Sequence, residues 1–141
     1  MYCATYRLRP RCVQANYGVT RFDRYDSETT RRILRLLLGS RDWTICGEAD
    51  SGRSGVRKFH QLRPDVVVLD LAMPDMDGIE AAKLMALDNP KVPTILFTIL
   101  GIEGIQPLAK EAGISAIVPK TEAWSLLGSI ESLVHAQHGP H

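Results

Sequence analysis

Four side chains stand out by type and spacing: Asp26, Asp70, Thr98 and Lys120. Two are carboxylates, one is a hydroxyl and one an ammonium. Carboxylates held close together repel unless something neutralises them. A hard cation such as Mg2+ does this, taking one or two carboxylates together with waters and phosphate oxygens. An ammonium is a point charge suited to a phosphate oxygen. The set therefore suits phosphoryl transfer, in which positioning and charge neutralisation do most of the catalysis. Asp70 would be the nucleophile, since a carboxylate can carry a phosphoryl group as an acyl phosphate. Taken singly, each residue has a plainer reading, as a helix cap or a solvated loop residue. Their convergence carries the argument.

Convergence requires a scaffold, and the chain supplies one in its alternation of apolar runs and helical patterns. Residues 65–70 (DVVVLD), 92–100 (VPTILFTIL) and 114–118 (ISAIV) are short apolar runs without period-two alternation, and 43–49 (WTICGEA) is a weaker one. Such runs suit strands buried on both faces. Between them, helices are expected over 27–38, 52–62, 78–88, 102–112 and 121–136. Ser27 or Asp26 would cap the first of these, and Pro107 would sit in the first turn of the fourth. Alternating strands and helices read as βα units on a parallel sheet with helices on both faces. Function in such sheets lies beyond the carboxyl ends of the strands, where Asp70, Thr98 and Lys120 fall, with Asp26 before the first helix.

The 141 residues are 45% hydrophobic and 23% charged, which excludes a disordered or low-complexity chain. No apolar run approaches the length that spans a bilayer. The net charge of +1 favours neither nucleic acid nor a membrane surface. It is a sum of unlike pieces, however: residues 1–25 carry +4 and residues 26–141 carry −3. Cys3, Cys12 and Cys46 are odd in number and lack metal-ligand spacing, so neither a disulfide framework nor a zinc site is indicated. A reducing cytoplasm is the expected location. Trp43 and Trp124 are expected to be partly buried. His135, His138 and His141 are read as tail residues without a metal.

The string PDVVVLDLAMPDMDGIEAAKLM, residues 64–85, resembles the response-regulator receiver domain, the chemotaxis-type phosphoacceptor module of two-component systems. The spacings of 44, 28 and 22 residues from Asp26 through Asp70 and Thr98 to Lys120 are similar to that family's. The nearest likeness is to receivers of regulators with a C-terminal helix-turn-helix. The resemblance implies a doubly wound five-stranded parallel sheet in the order 2-1-3-4-5, flavodoxin-like. It implies Asp70 as phosphoacceptor, Thr98 as switch hydroxyl and Lys120 as the lysine on the phosphoryl group. Mg2+ would be held by Asp26, Asp70 and the backbone carbonyl of Ala72. The implied donor is a histidine kinase or histidine phosphotransfer protein. The implied output is a protein target met through the 102–136 face, without direct contact to nucleic acid or membrane and with homodimerisation left open. Such a domain phosphorylates and dephosphorylates itself without being a conventional enzyme.

Several positions depart from the pattern. The first strand would be residues 19–25 (VTRFDRY), with Arg21, Asp23 and Arg24 in a central strand and Tyr25 where the family has the first acid of a pair. Burying such charges without partners costs several kcal/mol each, on the order of magnitude seen for buried ions. Residues 1–18 then read as an atypical basic segment, disordered or a mis-assigned start, followed by the receiver over 19–136 and a tail over 137–141. The alternative function is a degenerate receiver that binds a protein partner without phosphorylation. Ile117 stands where an aromatic is usual, Ile99 where the family has a small residue, and Pro119 precedes the lysine rather than following it.

Overall fold

The computed structural model describes residues 11–18, 27–99 and 102–137. Five strands, β1 (Arg11–Asn16), β2 (Trp43–Ala49), β3 (Val66–Leu69), β4 (Thr94–Thr98) and β5 (Ala116–Pro119), alternate with five helices. These are α1 (Ser27–Gly39), α2 (Gly52–Leu62), α3 (Gly78–Asp88), α4 (Ile102–Glu111) and α5 (Leu126–Gln137). All pairings are parallel, in the order β2-β1-β3-β4-β5. The expected doubly wound sheet is thus observed. Among the described residues no helix is long and apolar enough to cross a membrane.

The sheet separates two apolar layers. Val13, Ala15, Val66, Val68, Ile95 and Phe97 pack with α1 and α5 through Leu34, Leu38, Leu126 and Ile130. Val67, Leu69 and Leu96 pack on the other face with Phe59 of α2 and with Ile79, Ala82 and Met85 of α3. Successive strand residues feed opposite layers, so both faces of β3 must be apolar, and VVVL meets that need.

The first strand is the main correction. It lies at Arg11–Asn16, within the segment read above as preceding the domain, and the expected strand over 19–25 falls outside the described residues. The central position of β1, between β2 and β3, gives the physical reason. RCVQAN keeps its one charged residue at the strand's start, whereas VTRFDRY would carry three charges inward. Gln14 and Asn16 are nevertheless fully buried polar residues. Gln14 Nε2 donates to Gly55 O at 2.7 Å and to Asn16 Oδ1 at 3.2 Å. Position 55 in α2 has to be glycine, because a Cβ there would run into Asn16 Oδ1.

Smaller differences lie at the ends of elements. Pro107 is the sixth residue of α4 rather than part of its first turn. That side of the helix is exposed, so water can take the carbonyl that proline leaves without a partner. The last helical stretch is divided, with a 3-10 turn over Lys120–Ser125 and α5 after it, because Glu122 leaves helical geometry. Trp43 is buried, but Trp124, in that turn, is 72% exposed and is not a packing residue. Cys12 and Cys46, for which no bridge was expected, form a disulfide between β1 and β2 with Cα atoms 5.4 Å apart. Strand pairing brings them together, and cysteine spacing carries no trace of it.

Candidate functional site

Asp70 follows β3 directly, at the carboxyl edge of the sheet. Its backbone N–H donates to Asn16 O at 2.9 Å, which ties it to the end of β1. Its Oδ1 accepts the Ala72 N–H at 3.0 Å, and its Oδ2 pairs with Lys120 Nζ. The next loop is closed by Gly78 N–H donating to Leu71 O at 2.8 Å, and Asp77 caps α3 through the Glu80 N–H. The MPDMDG segment thus turns the chain back so that the carboxylate is presented over the sheet edge.

Lys120 begins the 3-10 turn after β5, and its ammonium lies 5.9 Å from the centre of the Phe97 ring. Thr98 ends β4 and stands in register with Pro119, the neighbour of Lys120. All three are buried, with exposures of 7% for Asp70, 1% for Thr98 and 4% for Lys120. Three of the four residues read from the sequence therefore share one edge. A buried carboxylate and a buried ammonium in contact each relieve the cost of burying the other.

Asp26 lies outside the described residues. The residue beside Asp70 on the β1 side is Gly18, which carried no signal in the sequence motifs. A Cβ added at Gly18 would lie 2.7 Å from Asp70 Cγ and would also run into Ala72 O. No side chain fits at position 18 between the Asp70 carboxylate and the Ala72 carbonyl. Among the described residues no three His, Cys, Asp or Glu side chains gather to hold a metal. The described donors near Asp70 are one carboxylate, already engaged by Lys120 and the Ala72 N–H, and one carbonyl at Ala72. By themselves they are fewer protein oxygens than the three the resemblance implies for Mg2+, since Asp26 lies outside the described residues.

The edge bearing Asp70, Thr98 and Lys120 can be set beside known proteins. A family model described as the response regulator receiver domain matches residues 25–130. The chain belongs to the response-regulator receiver family. It is 32% identical to the chemotaxis protein CheY of Listeria monocytogenes over 96 residues, which is 67% of this chain and 80% of that protein. It is 37% identical over 109 residues to a protein-glutamate methylesterase/protein-glutamine glutaminase of Methanosarcina mazei, covering 75% of this chain and 30% of that protein. The chain thus spans under a third of the methylesterases it resembles. Among solved structures, the response regulator domain of Thermotoga maritima CheB superposes with a TM-score of 0.75 at 26% identity, over 90% of this chain and 98% of that one. A LuxR-family response regulator from Aurantimonas gives 0.79 at 24% identity, covering 91% and 87%, a likeness of fold. As a receiver, the chain has its family match beginning at residue 25, so β1 is built from residues ahead of the matched span.

The remaining departures find places in the receiver fold. Ile99 is 42% exposed next to Thr98, at the mouth of the site. Ile117 packs against the α2–α3 layer. Tyr17, also unread in the sequence, is buried and donates its hydroxyl to Glu48 at 2.7 Å, with the Arg31 guanidinium 4.6 Å from its ring centre. Burial, then the hydrogen bond and charge of Glu48, raise its pKa well above the usual tyrosine value, against the opposing charges of Arg31 and Arg35.

Proposed function

We propose that this receiver accepts a phosphoryl group on Asp70 from a phosphohistidine of a histidine kinase or phosphotransfer protein. The observation that carries the reading is the buried contact of the Asp70 carboxylate with Lys120 at the strand edge that also bears Thr98. In the transfer, an Asp70 oxygen attacks phosphorus, the P–N bond breaks and the donor imidazole leaves. Lys120 then moves its charge from the carboxylate to a phosphoryl oxygen, and the Thr98 hydroxyl donates to another. The new charge of about −2 redistributes contacts along β5 and the adjoining helices. Leu108 and Trp124 are exposed on that 102–136 face, which supports its use as the surface met by a protein target. Mg2+ would need Asp26 to reach Asp70 and the Ala72 carbonyl from outside the described residues.

The test is exposure of the full chain to acetyl phosphate across a Mg2+ titration, read by intact mass. One phosphoryl group on the wild type and none on Asp70→Asn is the expected outcome. Gly18 supports a second reading, a receiver that binds its partner with Asp70 unmodified, because the packed glycine leaves no second acid at that point. Absence of label at every Mg2+ concentration would favour that second reading.

A further inference from the structure

The disulfide partners differ in surroundings. Cys12 is buried on the central strand β1, whereas Cys46 is half-buried on β2, at the edge of the sheet. The parallel register pairs Val13 with Ile45 and Gln14 with Gly47, so Cys46 is the extra residue of a bulge. The bulge re-aims Cys46 towards Cys12, whose regular partner across the strands is Thr44. A Cα separation of 5.4 Å is within the range a disulfide requires. The reduced state also has a place in this geometry, since Cys46 Sγ lies 3.5 Å from the Val13 carbonyl oxygen, an acceptor for a thiol.

The strand held by this bridge leads to the site. Asn16, four positions beyond Cys12, supplies the carbonyl that accepts the Asp70 N–H, and Gly18 packs on the Asp70 carboxylate. With two buried amides, Gln14 and Asn16, β1 has less apolar area to hold it than β3 does. A covalent tie to β2 therefore acts on a strand with less apolar burial than β3.

We infer that Cys12 and Cys46 form a reversible dithiol–disulfide couple, with Cys46 meeting a peroxide and Cys12 resolving it, whose state sets how firmly β1 backs Asp70. In the forward direction the Cys46 thiolate attacks a peroxide oxygen and the O–O bond breaks, leaving a sulfenic acid and a hydroxide that takes up the proton lost by the thiol and becomes water. The Cys12 sulfur then attacks the Cys46 sulfur and the oxygen leaves as water, so two thiols and one hydrogen peroxide give one disulfide and two waters. A dithiol reductant reverses the bridge through a mixed disulfide and is itself oxidised. None of this depends on Asp70 taking a phosphoryl group.

The test uses the full wild-type chain, split between hydrogen peroxide and dithiothreitol and then alkylated with iodoacetamide. Three alkylated cysteines are expected after reduction, and one, Cys3, after oxidation, with a Cys12–Cys46 peptide found by mapping. Hydrogen exchange at the Asp70 amide is expected to slow by about tenfold or more in the oxidised form, because opening of β1 is restrained. A bridge from Cys3 to either cysteine, alkylation of all three after peroxide, or equal exchange in both forms would overturn the inference. Acetyl phosphate labelling of both forms separately tests the phosphoacceptor reading, and its failure would leave the thiol and exchange results intact.

Discussion

Lys120 is held by what surrounds its ammonium, the Asp70 carboxylate and the face of Phe97, in a buried site. Removing one charge of such a pair leaves the other buried and uncompensated, which costs about 3–5 kcal/mol, whereas replacing both with neutral groups is often close to neutral. Lys120→Met should therefore lower unfolding free energy in urea by about that amount, and adding Asp70→Asn should recover most of it. A double-variant loss equal to the sum of the two single losses would mean that the two side chains do not act on each other. Gly18 makes the complementary point at this scale. Its importance is the side chain it lacks, and no count of carboxylates in the sequence could have found it.

Among the elements, α2 gives the clearest test. Ser51 Oγ accepts the Ser54 N–H at 3.1 Å, as a cap should. Asp75, from the loop after β3, takes the next two free amides, with Oδ1 on Gly52 N–H at 2.7 Å and Oδ2 on Arg53 N–H at 3.0 Å. Desolvation would raise the Asp75 pKa, but hydrogen bonds from the backbone of Arg53, Gly52, Asp75 itself and Met76 outweigh it and hold the carboxyl below its usual value. A carboxyl whose folded pKa is depressed stabilises the fold above its ordinary value of 3.8, and that stability is lost as pH falls through the lower folded value. The Asp75→Ala variant should have a lower urea midpoint at neutral pH and a shallower loss of stability on acidification. Parallel acid profiles for variant and wild type would remove Asp75 from the account. Because Asp75 belongs to the same loop as Asp70, the contact also ties α2 to the loop that carries Asp70.

For the whole molecule, the placement of β1 matters most. It pairs with β2 on one side and β3 on the other, so the sheet is continuous only through residues 11–16. Deleting residues 1–18 should abolish cooperative unfolding, followed by near-UV circular dichroism in urea, because two strands would each lose a full ladder. A truncated chain that unfolds cooperatively with the wild-type denaturant slope would instead favour a strand over 19–25. The basic charge of the first 25 residues thus covers a stretch that includes the centre of the sheet.

The receiver family, the four later strands, the first four helices to within a residue or so, the end of the fifth, and the shared edge of Asp70, Thr98 and Lys120 were all legible in the sequence. Each was legible because apolar runs, caps and strand-end residues are local patterns, and local patterns survive in one dimension. Three-dimensional packing was needed to show which segment fills the central strand, that Gly18 packs against Asp70, that Asp75 caps a helix 22 residues away, and that Cys12 meets Cys46. Those outcomes depend on partners distant in the chain, whose fit is a matter of register and available space rather than of residue order.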